Sequence, residues 1–161
     1  MKSIRKEIVF LAKFFLIYAL LQALIQFSPL YPLEKFIAGI EANAAGLESS
    51  GNAIRTINGD FAINASCTGL VSAGVLAAII FSLRKPGLKT KLLLLAAGAI
   101  ALFLLNLARV YVVVLVAVNY GTGAAEFAHV TSWFATAAFI LAAWILGIKK
   151  IAGIRDFSGL I

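Results

Sequence analysis

Cysteine and histidine are almost missing from this chain: among 161 residues there is one of each, Cys67 and His129. A lone cysteine excludes an internal disulfide, so redox compartment is not legible from pairing. One Cys and one His fall short of the three or four protein ligands that zinc sites usually have, so no resident metal is expected, and no cofactor. Charge is scarce as well, at 13% of residues, against roughly 25% in soluble chains. There is no Gly-rich phosphate loop and no aromatic-basic strip, so the net charge of +7 does not point to nucleic acid. No serine lies in a G-x-S-x-G elbow, although Ser66, Ser72 and Ser132 are present. Internal repeats and low-complexity tracts are absent from the sequence.

What fills the chain is apolar. Hydrophobic residues make up 62% of it, and the mean hydropathy is +1.00. Several apolar runs exceed the ~18–20 residues needed to cross a bilayer. The reading is an all-α, polytopic membrane helical bundle of about four transmembrane helices, one transmembrane domain over residues 1–161. The spans fall at about 7–27, 67–83, 92–118 and 127–148. The first is too long for a signal-peptide core and ends in Phe27-Ser28-Pro29, so it reads as an uncleaved anchor. Lys13 inside it is close enough to the start to snorkel to the headgroups. Pro86-Gly87 marks a turn between the second and third spans, and Asn119 to Gly123 a turn between the third and fourth.

Residues 28–66 form the one sizeable polar segment. Leu33, Phe36, Ile37, Ile40, Ala44 and Leu47 recur at helical spacing, with Glu34, Lys35, Glu41 and Glu48 mostly on the other side. That pattern predicts an amphipathic helix lying at the membrane surface. Asn58-Gly59, flanked by alternating apolar residues, predicts a small β-hairpin that leads into Cys67. Lys and Arg concentrate at the N-terminus, in the 84–91 loop and in the tail that carries Lys149, Lys150, Arg155 and Asp156: those segments hold 11 of the 14. By the positive-inside rule both termini are cytoplasmic and the 28–66 loop is extracytoplasmic, in a multi-pass protein of the cell membrane.

This map brings three rare residues to one depth. Cys67 opens the second span and His129 lies just inside the fourth, both on the outer side. Arg109 lies about 26 Å along a helix rising from Leu92 at the inner face, within a core ~30 Å thick. A thiol must ionise to attack a carbonyl, and its free pKa of ~8.5 falls near a helix N-terminus or a cation. Cys67 has both in prospect: the start of the second helix, and Arg109 or protonated His129. His129 can take the thiol proton and return one to a leaving amine. Arg109 can hold the oxyanion of a tetrahedral intermediate or stabilise the thiolate. Asn106, one turn before Arg109, can orient the guanidinium, donate to substrate, or serve only as an interhelical hydrogen bonder. Gly69 either lets a substrate backbone approach or aids helix packing. Glu126, three residues before His129, either fixes its tautomer or is an interface residue. The Asn64-Ala65-Ser66 sequon faces outward and reads as incidental.

Cys67-Thr68-Gly69 at the head of one span, Asn106-Leu107-Ala108-Arg109 in the next and a His in the following one resemble the exosortase/archaeosortase family, over about residues 55–150. The resemblance implies a polytopic membrane thiol transpeptidase or protease. Its catalytic Cys, Arg and His, in that chain order, would be Cys67, Arg109 and His129, with Thr68 inside the motif. It implies as partner a secreted or surface protein with a C-terminal sorting signal: a short motif, a transmembrane helix and a basic cluster. Cleavage near the motif would run through a thioester, with transfer to a lipid or other surface acceptor. Two other readings use the same residues. A small transporter or channel would line a polar path with Arg109 and Asn106, but the inner halves of the spans are almost wholly apolar. A non-catalytic assembly factor would depend on the 28–66 surface rather than on Cys67.

Overall fold

The computed structural model describes residues 2–153 and 160; Arg155 and Asp156 of the expected tail lie outside the described residues. The described chain runs α1 (Lys2–Phe27), α2 (Tyr31–Ala45), β1 (Glu48–Ser50), β2 (Ala53–Thr56), β3 (Gly59–Ala62), a 3₁₀ turn (Ala65–Cys67), α3 (Leu70–Ser82), α4 (Leu88–Tyr120) and α5 (Thr122–Lys150). It is a helical membrane bundle with a small antiparallel sheet at one end, here called the sheet end.

Among the described residues, three helices are long and apolar enough to cross a membrane: Lys6–Phe27, Leu88–Tyr120 and Thr122–Lys150. The expected second span departs from that length. Its helix, α3, has only 13 residues, about 20 Å at 1.5 Å per residue. The apolar run does begin at Cys67, but Gly69 adopts φ +77° and ends the preceding turn before α3 starts at Leu70. A break of this kind is invisible to a count of apolar residues. The other turns are tighter than the sequence suggests. Gly121 alone separates α4 from α5, with φ 86° and ψ 171°. At the opposite end Lys91, expected in a loop, is buried inside α4 and donates to the carbonyl of Leu83, the C-cap of α3, at 2.5 Å. Helix α3 packs against α1 on one side and against α4 and α5 on the other. The outer faces of α1, α4 and α5 leave Leu16, Leu20, Ile100, Leu104 and Phe134 exposed, as lipid-facing helices do.

The 28–62 segment forms a cap on the sheet end. Pro32 starts α2, where its missing N–H costs nothing. Gly46 ends it: the Gly46 N–H donates to Asn43 O and the Leu47 N–H to Ala42 O, the paired bonds of a Schellman motif. The sheet has three strands in the order β1-β2-β3, not the two expected, because Glu48, read as part of the helix, begins β1. The β2–β3 hairpin turns through Ile57 and Asn58, with Thr56 opposite Gly59. Asn58 Nδ2 then donates to Ala117 O and Val118 O at 3.1 and 3.0 Å, which ties the turn to the end of α4. Ile37, Ile54, Ile63, Cys67, Val110 and Val114 form one buried cluster between α2, the sheet and α4.

The buried face of α2 corrects the sequence reading. Ile37, Ala38, Glu41 and Ala42 are buried, while Phe36 and Ile40 are exposed. The face that docks on α4 and β2 is rotated roughly a quarter turn from the apolar stripe. Phe36 and Ile40 remain free to contact lipid. Glu41 pays for this by losing water: it is 2% exposed, and burial pushes its carboxyl from 4.5 up to about 7. The folded state therefore binds this proton more tightly than the unfolded state does. The associated stability is complete below pH 4.5 and is lost as pH rises through about 7. Glu41→Gln is expected to remove that slope, a change of up to about 3 kcal/mol above pH 7. Thermal unfolding in detergent should show a higher midpoint for the variant at pH 8 and none at pH 4; equal shifts at both would count against the buried carboxyl.

Candidate active site

The turn before α3 organises the site. Asn64 caps it in an extended conformation, accepting from the Ser66 N–H at 3.0 Å and the Ser66 hydroxyl at 2.6 Å. The same Asn64 Oδ1 accepts from the Cys67 thiol at 3.6 Å. Thr68 donates to Ala65 O at 2.7 Å and its hydroxyl accepts from the Leu70 N–H at 3.3 Å, joining the turn to the first residue of α3. Cys67 therefore sits three residues before the helix and not at its first position. Its own N–H is taken by Asn64 O at 2.8 Å.

Helix α4 reaches this turn with two side chains. Asn106 Nδ2 donates to the Cys67 carbonyl at 2.6 Å, and Arg109 Nη2 donates to the Ser66 carbonyl at 3.4 Å. The bond to Cys67 holds the turn against α4, the interhelical use weighed from the sequence. Gly69 serves the same close approach. Its φ of +77° is left-handed, and a Cβ there would lie 3.3 Å from Asn106 Cβ. It faces Asn106 rather than a cleft, which favours packing over substrate approach.

Helix α5 supplies His129, whose Nε2 lies 3.5 Å from Ser66 Oγ, and whose ring meets Trp133 edge-on at 6.0 Å. Among the described residues, the thiol and the imidazole do not bond to each other. Ser66 Oγ stands between them, 4.0 Å from Cys67 Sγ. Cys67, Arg109 and His129 thus converge on one turn, with Ser66 as the residue all three approach. Glu126 is exposed and makes no hydrogen bond to His129; it acts on the ring only through space. From the sequence alone Asn64 and Ser66 read only as an incidental sequon. The signal that would have found them is the Asn-x-Ser spacing itself, which is also that of a side-chain cap on a tight turn.

Two buried polar atoms at this site, Asn106 Oδ1 and Arg109 Nε, have no hydrogen-bond partner among the described residues. Both residues border a cavity of about 40 Å³ between α4 and α5, with Ser132 and Thr136 opposite. Leaving a buried donor unsatisfied costs ~1–3 kcal/mol, so a guanidinium N–H held in reserve is a ready site for an incoming oxygen. Arg109, with Ser66, also borders an apolar trough of about 640 Å³ floored by α3 between α1 and α5. A second hollow of about 410 Å³, lined by Phe10, Phe14 and Trp144, shares Ile79 and Leu141 with the first and carries the trough away from the sheet end. The thiol itself is covered: Cys67 is 1% exposed and borders neither hollow.

A family model of transmembrane exosortases matches residues 4–148 of this chain. No curated protein and no solved structure matches it.

Proposed function

This chain belongs to the transmembrane exosortase family, and we propose that it is a membrane thiol transpeptidase or protease that removes the C-terminal sorting signal of secreted proteins. Cys67 is the nucleophile, His129 the general base and acid, and Arg109 the oxyanion holder. Asn106 and Gly69 keep the Cys67 turn against α4, and Thr68 joins it to α3. Both termini are cytoplasmic, and the sheet end faces the extracytoplasmic side.

In the first step the Cys67 thiol gives its proton toward His129 and the thiolate attacks the scissile carbonyl. The carbonyl oxygen, now negative, is met by Arg109. Collapse of the tetrahedral intermediate breaks the C–N bond, and the amine leaves with the proton that His129 returns. The retained part of the substrate is a thioester on Cys67. A hydroxyl or amine of a lipid or surface acceptor, or water, then attacks the thioester as His129 takes its proton, the C–S bond breaks, and His129 passes that proton to the departing sulfur. No metal or cofactor is required by these steps.

One observation carries this reading: the apolar trough along α3 ends at Ser66 and Arg109. A helix lying in it would deliver the peptide just beyond its end to the turn that bears the thiol. The trough also supports a specific test. Ala137 lines it from α5 and is exposed, so a larger side chain there leaves the core intact. Coexpressed with a secreted reporter ending in a short motif, an apolar helix and a basic cluster, the wild type should release the tail. Ala137→Trp is expected to slow release at least about tenfold by excluding the helix, as steric misplacement near a reacting centre does. Undiminished release by this variant would move the substrate helix elsewhere.

A further inference from the structure

We infer that Ser66 is a positioning residue that passes the proton between Cys67 and His129, an inference that rests on the thiol reading above. The imidazole and the thiol share no hydrogen bond, and each reaches the same hydroxyl: His129 Nε2 at 3.5 Å and Cys67 Sγ at 4.0 Å from Ser66 Oγ. Asn64 Oδ1 aligns the group by accepting from both the Ser66 hydroxyl at 2.6 Å and the thiol at 3.6 Å. One amide oxygen therefore holds the proton donor and the relay in register.

The transfer balances without any outside reactant. The Ser66 hydroxyl has one proton and can rotate about its Cβ–Oγ bond. Turned from Asn64 to His129, it gives that proton to Nε2 as Oγ receives the proton of Cys67 Sγ. The S–H bond breaks and an N–H bond forms. The hydroxyl is restored, and thiolate and imidazolium remain. Reversal along the same path returns the proton to sulfur after the acceptor has attacked.

Position supports the role as much as distance. Ser66 borders the trough beside Arg109 and also a second cleft of about 500 Å³ that includes Glu34 and Gln26, whereas Cys67 borders neither. The hydroxyl lies between the open side of the site and the covered thiol. Among the described residues, the charged groups around the pair are Arg109 from α4, Glu126 from α5 and Glu34 from α2 across the second cleft. None of these changes in a Ser66 variant, so a Ser66 substitution isolates the hydroxyl.

The single cysteine makes the test direct: follow the rate at which iodoacetamide alkylates Cys67 in membranes as pH is raised from about 5 to about 10. In the wild type the reactive fraction is expected to appear as His129 loses its proton, and in Ser66→Ala only at distinctly higher pH, where the thiol must ionise without the imidazole. At neutral pH that shift is expected to slow alkylation by at least about tenfold, the scale on which loss of a positioned base acts. His129→Ala should give the same midpoint as Ser66→Ala, and the double variant no further shift. Ser66→Thr, which keeps the hydroxyl at a half-exposed position, should restore the wild-type profile. A purely structural role for Ser66 would lower the rate by one factor at every pH and leave the midpoint in place; that result overturns the relay and leaves the thiol reading standing. A wild-type thiol unreactive throughout the range, yet labelled after unfolding, overturns the thiol reading and the relay with it. Release of the reporter tail that survives Cys67→Ala but not Ser66→Ala makes the serine the nucleophile and also overturns the relay.

Discussion

Coexpressed with a secreted reporter that carries a C-terminal tail helix, Cys67→Ala is expected to leave the tail attached, while the wild type removes it. The effect should be a loss of at least about 10⁴-fold, the scale on which removal of a nucleophile acts in enzymes that pass through acyl intermediates. The substitution is mild for the fold. Cys67 is buried in the cluster of Ile37, Ile54, Ile63, Val110 and Val114, so alanine leaves only a small void there. The Asn106 bond is made to the Cys67 carbonyl, not to sulfur, and survives the change. A slow acceptor adds a positive result: the wild type should accumulate a hydroxylamine-sensitive thioester with the reporter, and Cys67→Ala should not. Tail removal that persists in Cys67→Ala would end the thiol mechanism.

The second large effect is expected at Arg109. Arg109→Lys keeps the charge but replaces a planar fork of donors by a compact ammonium on a flexible stem. In the structure the guanidinium divides its work: Nη2 donates to the Ser66 carbonyl at 3.4 Å, and Nε is buried without a partner. A lysine ammonium cannot hold the turn and present a fixed N–H to an oxyanion at once. The loss in kcat should be about 10²–10³-fold, the cost of removing one oxyanion donor. If the tail helix docks in the trough as proposed, its binding rests mainly on the apolar lining of α1, α3 and α5 and KM is expected to hold. Full activity of Arg109→Lys would remove the directional role and leave only a charge effect.

Much of this site was legible from residue scarcity and hydropathy. With one thiol, one imidazole and one Arg in the interior of an apolar run, the span map left few places for them. The turn chemistry was legible in part: Pro32, Gly46 and Asn58-Gly59 mark structural boundaries. Three features escaped. The break at Gly69 shortens the second apolar helix to 13 residues, because backbone conformation and not hydrophobicity ends it. The rotation of α2 buries Glu41 and exposes Phe36 and Ile40, because the partner surface on α4 and β2, not the helix's own pattern, selects the docked face. The insertion of Ser66 between sulfur and imidazole depends on the Asn64 cap, which a motif of single letters does not convey.

The sequence by itself determined that this chain lives in a membrane, where its long apolar runs lie, and which few polar side chains the lipid would force to cluster. Those outcomes follow from transfer free energy, which depends on composition and run length. Tertiary structure alone decided which atoms meet. It put a hydroxyl between the thiol and the imidazole, left one guanidinium N–H without a partner, and opened an apolar trough at their side. Hydrogen bonds and close contacts have ångström tolerances, and only the packed positions of α3, α4 and α5 against the Asn64–Cys67 turn specify them.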